Sequence, residues 1–139
     1  MLQRIRALWL RLRGPWHPES RWDSQQAGGK WDYLGGLEEL AHYSVLAGYA
    51  LELKPGGDLL DIGCGEGLLR ERLHPSAFGR YVGVDFGEAV RSAARRADDR
   101  TSFVIADMHD YVPDRSFDTI VFNEVLYYFR DPVAGARRY

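Results

Sequence analysis

The string Leu59-Leu60-Asp61-Ile62-Gly63-Cys64-Gly65-Glu66-Gly67-Leu68-Leu69 constrains the fold more than any other part of the chain. An apolar strand runs into three glycines at alternate positions and then into a helix start. Glycine at such points lets the backbone turn tightly and lets a ligand lie against the main chain. A helix that follows would offer unpaired backbone N–H groups to a polar ligand. A tight turn that binds nothing is the competing explanation, and three alternate glycines directly after an apolar strand disfavour it. Around this string the pattern alternates. Strands are expected at 58–62, 81–84, 102–106 and 117–122, with helices at 66–74, at 88–97 and at 37–51, where Leu37, Leu40, Ala41, Val45 and Tyr49 form the apolar face. Asp131-Pro132 reads as the start of another, with Asp as the cap and Pro at the first helical position. Strands alternating with helices imply an α/β, doubly wound parallel sheet.

Composition narrows the function. The chain has 139 residues, a net charge of −2 and one cysteine. That charge excludes a global polycation gripping nucleic acid, and no nucleic-acid partner is expected. One cysteine excludes an internal disulfide framework and a Cys-rich zinc site. The scattered His17, His42, His74 and His109 show no metal-ligand spacing, so no metal is expected. No apolar run approaches the roughly 20 residues of a membrane span. Residues 1–36 stand apart. Arg4, Arg6, Arg11, Arg13 and Arg21 make the start basic, and Leu2, Ile5, Leu8, Trp9 and Leu12 fall on one helical face. Those arginines break up the apolar core a secretory signal needs, and the chain reads as cytoplasmic. Two explanations stand for residues 1–13: a solvated or self-packed helix, which is favoured, or a weak contact with an anionic membrane surface.

The ligand of the glycine loop follows from its exceptions. A dinucleotide fingerprint, GxGxxG, needs glycine where Leu68 stands. It also gains nothing from Asp61, a carboxylate two residues ahead of Gly63, because a pyrophosphate is anionic. A cationic ligand would gain. A sulfonium and an α-amino group occur together in S-adenosylmethionine.

The string DIGCGEG resembles the acid-x-Gly-x-Gly-x-Gly signature of the class I S-adenosylmethionine-dependent methyltransferases, and the resemblance extends from about Leu59 to Pro132. It implies a Rossmann-like, three-layer fold, here incomplete, with about four strands in the order 3-2-1-4 out of the family's seven. By position it implicates Asp61, Gly63, Cys64, Gly65 and Gly67 at the methionine end of the cofactor, with Cys64 read as a small space-filler. Asp85, ending Tyr81-Val82-Gly83-Val84-Asp85, looks like the family's ribose-binding acid, since a carboxylate can accept from two hydroxyls. Phe86 would lie beside the adenine. Asp107 and Met108 would accept from the adenine amino group and pack on its ring, with a turn cap as the alternative role of Asp107. Asn123, Glu124 and Tyr127 would face the methyl group, Asn123 on the cofactor side. Glu124 and Tyr127 are the candidate catalytic residues, with His109 a weaker candidate base.

The resemblance thus implies methyl transfer from S-adenosylmethionine, leaving S-adenosylhomocysteine, to a small-molecule or glycan-like acceptor. An NAD-type oxidoreductase and a non-catalytic cofactor-binding fragment are the alternatives. Residues 37–139 would form the cofactor-binding domain, without a C-terminal part. Trp22, Lys30, Trp31 and Tyr33 would form a lid or simply pack on the sheet. The fourth strand would be an exposed apolar edge, open to a second copy of the chain or to the rest of a longer one.

Overall fold

The computed structural model describes Gly28 and residues 35–139. The lid residues, the basic face of residues 1–13 and almost all of the segment 1–36 lie outside the described residues. A 3-10 turn, Leu37–Glu39, leads into α1, Leu40–Leu53. Then follow β1 Gly57–Ile62, α2 Leu68–Arg72, β2 Phe78–Asp85 and α3 Gly87–Ala93. The chain continues through β3 Thr101–Ile105 and β4 Thr119–Phe122 to a short α4, Pro132–Ala136. Asp131 caps α4 through its side chain, which accepts from the Ala134 N–H, and Pro132 follows the cap as the sequence implied.

The four strands form one parallel sheet in the order β3-β2-β1-β4. Its registers place Leu60 beside Val82 and Ile120, and Ile62 beside Val84 and Phe122. Leu59, Leu60 and Ile62 on β1 are all buried. A parallel strand covered on both faces has no solvent side, so its apolar residues run consecutively instead of alternating. Successive side chains point to opposite faces, and they build two cores. Leu59 and Tyr81 join Tyr43 and Ala50 of α1, Leu69 of α2, and Phe78. Leu60, Ile62, Val82 and Val84 face the other way, toward Val104, Met108, Phe117 and Tyr139.

The helix expected at 37–51 forms, with a different face inward. The sequence pattern favoured Leu37, Leu40, Ala41, Val45 and Tyr49. Leu37, Val45 and Tyr49 are instead 85, 56 and 61% exposed, and the packed face carries Tyr43, Leu46, Ala47 and Ala50. Both stripes have helical spacing. Alanines at 47 and 50 allow the closer approach to the sheet, with the Tyr43 ring filling the space at the other end. Two further helices are shorter than the pattern suggested. The one expected at 66–74 is only Leu68–Arg72, and the one at 88–97 gives way to a 3-10 turn at Ala94–Arg96.

Candidate cofactor site

The glycine loop starts at the C-terminal end of β1, beside the ends of β2 and β4. In open α/β sheets ligands bind at such strand ends, where the chain crosses from one side of the first strand to the other. Gly63, Gly65 and Gly67 have φ of 77°, 52° and 79°, the left-handed region that side chains resist. Their surroundings differ. A Cβ on Gly63 would stand 2.1 Å from Cγ1 of Val125, and one on Gly67 would stand 2.9 Å from Cε1 of Phe103. A Cβ on Gly65 would meet nothing within 4 Å. Gly63 and Gly67 therefore seat the loop against its neighbours, and Gly65 is the glycine that faces open space.

The loop's own hydrogen bonds decide what it can hold. The N–H groups of Gly63 and Cys64 both donate to the carbonyl of Val84, at 2.8 and 3.2 Å. The Gly65 N–H donates to Oδ2 of Asp85 at 2.7 Å, and the Gly67 N–H to the Cys64 carbonyl at 2.9 Å. A phosphate-binding loop needs those donors free. The helix behind the loop has five residues, so it adds no long dipole. Arg96 holds the Glu66 carbonyl from outside through its guanidinium.

Two buried carboxylates lie beneath the loop. Asp61 is 2% exposed, and its Oδ2 accepts from the Tyr81 hydroxyl at 2.6 Å. Its Oδ1 is buried without a partner. Burial pushes the Asp61 carboxyl up to about 7, against the lowering effect of the Tyr81 hydrogen bond and with a smaller push from Asp85. Asp85 accepts from Gly65 on one oxygen and from the Phe86 N–H, at 2.7 Å, on the other. Its pKa is also raised, chiefly by desolvation. Asn123, just past β4, has a second buried and unpartnered side-chain oxygen, Oδ1. Consumed donors, buried carboxylates and two orphan acceptors complement a cation and repel a pyrophosphate. The residues fit the methionine end of S-adenosylmethionine.

Comparison with known proteins agrees. Residues 60–138 match the model of a family described as methyltransferase domain. The chain belongs to that family. A protein of 37.1 kDa from a Streptomyces fradiae transposon, itself uncharacterized, is 32% identical over 124 residues, covering 77% of this chain and 35% of its own. Ribosomal protein L11 methyltransferase of Burkholderia cenocepacia is 33% identical over 72 residues, 51% of this chain and 24% of that one. The methyltransferase solved with the Trm112 activator of Haloferax volcanii superposes with a TM-score of 0.62 at 28% identity, covering 84% of this chain and 52% of that one. N-methyltransferase NodS of Bradyrhizobium japonicum, solved with S-adenosylhomocysteine, gives 0.56 at 26%, covering 70% and 51%. The chain thus spans about half of these solved relatives and about a third of the Streptomyces protein.

Within this methyltransferase domain the other expected site residues fall as follows. The buried Cys64 side chain turns down against Gly83, where a Cβ would stand 2.9 Å from its Sγ. Burial, with the charges of Asp61 and Asp85, raises its thiol pKa well above the usual value, which suits a packing role. Phe86 occupies the N-cap position of α3. Asp107 caps the turn after β3: its Oδ1 accepts from the His109 N–H at 2.8 Å and pairs with His109 Nδ1 at 2.7 Å. This is the turn-cap alternative, and it occupies one carboxylate oxygen. Met108 is half-buried on the second core. His109 lies against the Phe129 ring, with centroids 5.1 Å apart.

Glu124 and Tyr127 lie just past β4, both exposed. Glu124 has φ of 55°, a strained value for a non-glycine residue. Desolvation, then hydrogen bonding with Tyr128 and the nearby Glu124, raise the Tyr127 pKa. Its phenol stays protonated near neutrality, so it can donate a hydrogen bond and is poorly suited to take a proton.

Three features of the site were not foreseen. Tyr81 bonds Asp61. Val125 closes over Gly63. Arg138 donates to the carbonyls of His109 and Tyr111, while the Tyr139 hydroxyl donates to that of Met108. A tyrosine, which carries a hydroxyl that needs a partner, in a buried apolar strand was the available signal for the first. The others join distant segments and leave no local pattern.

Proposed function

We propose that the chain binds S-adenosylmethionine at the glycine loop and supports methyl transfer to a small-molecule or glycan-like acceptor approaching Glu124 and Tyr127. The observation that carries this is the combination of consumed loop donors and buried carboxylates, which favours a cationic over a pyrophosphate ligand. S-adenosylmethionine supplies a methyl group on positive sulfur, already activated for in-line displacement. The protein then mainly positions and desolvates the reactants, which supplies roughly 7–11 kcal/mol in favourable cases.

In this reading Asp61 and Asn123 receive the methionine end, Gly65 gives it room, and Asp85 takes the ribose hydroxyls on its remaining lone pairs. Phe86, Asp107 and Met108 border the adenine. Glu124 is the candidate to accept a proton if the acceptor must lose one, and Tyr127 the candidate donor that orients it. The N-methyltransferase named among the relatives supports an amine-bearing acceptor.

Calorimetric titration with S-adenosylhomocysteine and NADH tests the binding reading. Binding of the first without the second is expected; tight NADH binding with no response to S-adenosylhomocysteine would refute it. A labelled-methyl assay over amine and sugar acceptors tests turnover.

A further inference from the structure

We infer that Tyr81 is a positioning residue for the cofactor: its hydroxyl fixes Asp61 through Oδ2 and leaves Oδ1 as the acceptor for the ligand's cationic end. The inference rests on the S-adenosylmethionine reading above.

Tyr81 is fully buried in the first core, and its ring is fixed edge-on by Phe78 and Phe103, with centroids 6.2 and 5.8 Å away. Phenylalanine would fill the same space without a hydroxyl to desolvate, so the hydroxyl needs a partner to offset its burial. That partner is Asp61 at 2.6 Å. The register puts Gly83 directly beside Asp61, so the neighbouring strand offers no side chain there to steady the carboxylate. Tyr81, diagonal across the sheet, does so instead. A short bond to an ionised acceptor is also among the stronger hydrogen bonds.

The same bond opposes the burial that pushes the Asp61 carboxyl up. The titratable groups around it are Tyr81 itself, Cys64 on the loop and Asp85 at the end of β2. Arg70 of α2 acts on Tyr81, and Tyr43 of α1 shares the core. Desolvation and Asp85 disfavour the charged carboxylate, and the Tyr81 hydroxyl favours it. Only the ionised form complements an ammonium or sulfonium. Affinity should therefore fall as pH drops through the Asp61 pKa, and losing the hydroxyl should move that break to higher pH.

The test is calorimetric titration of the full chain with S-adenosylhomocysteine from pH 5.5 to 8.5. Wild type should lose about tenfold in affinity per pH unit below a break near neutrality, as expected for one coupled proton. Tyr81→Phe should move the break upward by roughly half a unit or more. Asp61→Asn should bind weakly with no break. A second arm replaces the tyrosines with 3-fluorotyrosine, a stronger donor of the same shape, and should move the break downward even if Tyr81→Phe fails to fold. A structural role alone would weaken binding equally at every pH. Breaks that neither tyrosine change moves would overturn this inference alone. A wild type without affinity for S-adenosylhomocysteine would overturn the function proposed above and this inference with it.

Discussion

Asp61→Asn should become stabilising relative to wild type as pH rises. In the folded chain the Asp61 carboxyl titrates at about 7, against an ordinary value of 3.8. Its folded pKa is raised, so ionisation opposes folding. Below about pH 3.8 the carboxyl is protonated in both states and there is no penalty. The penalty grows as pH rises between the two values and levels off above about 7. At roughly 1.36 kcal/mol per unit of difference, it is about 4 kcal/mol at pH 8 and about 2 kcal/mol at pH 5. Asparagine carries no such penalty. It keeps an oxygen for the Tyr81 hydroxyl but buries an amide without an assigned acceptor, which costs about 1–3 kcal/mol at any pH. The variant should therefore be about as stable as wild type at pH 5 and more stable by roughly 2 kcal/mol at pH 8. Urea unfolding without ligand, from pH 5 to 8.5, measures the difference directly. A variant less stable than wild type by a constant amount across that range would refute the argument, because it would mean that Asp61 is ionised in the native state at no cost.

Other substitutions separate packing from binding in the same loop. Gly63→Ala should destabilise the fold by about 2–4 kcal/mol, combining overpacking against Val125 with left-handed strain; an unchanged melting temperature would refute the close contact. Gly65→Ala should cost only about 1 kcal/mol of stability, for its backbone strain. It should still weaken S-adenosylhomocysteine binding roughly tenfold, equivalent to about 1.4 kcal/mol, and unchanged affinity would mean that the ligand does not lie there. Arg138→Ala should free the carbonyls of His109 and Tyr111, speeding hydrogen exchange across residues 107–111 and weakening S-adenosylhomocysteine binding; unaltered exchange would show that the contact does not order that turn. The edge of β4 lies beside a groove lined by Leu46, Tyr49 and Leu53, and pairing there should give a dimer by light scattering. A monomer at every concentration would exclude it.

The alternation of strands and helices was legible because each buried strand carries a short apolar run between turn residues. The sheet order followed from the resemblance of the glycine string and the strand-ending acids. The face of α1 was not legible. Leu40, Val45 and Tyr49 form as good a helical stripe as Tyr43, Ala47 and Ala50, and only packing against the sheet chooses between them. The role of Asp107 was ambiguous for a related reason, since an Asp two residues before an N–H can cap a turn whatever else it binds. The bond from Tyr81 to Asp61 depends on parallel register across 20 positions, which no local pattern encodes.

The two sides of the site are held in different ways, and this bears on where specificity resides. On the proposed cofactor side, the loop N–H groups, Asp85 and the Tyr81–Asp61 pair are held by hydrogen bonds within the protein, and Val125 packs on Gly63. Such preorganisation suits a cofactor that many acceptors can share. On the proposed acceptor side, Glu124 and Tyr127 are exposed beyond the short β4, and Glu124 keeps a backbone conformation that costs energy. A strained, exposed residue persists when its surroundings over-determine it, and here Val125, the next residue, is seated on Gly63, with the Tyr127 and Tyr128 rings packed 4.6 Å apart just beyond. In the proposed reading, the glycine loop therefore positions the acceptor rim as well as the cofactor. A change at Gly63 that displaces Val125 should disturb Glu124 too, so selection for acceptor choice would fall on residues 124–128, with the loop beneath them kept constant.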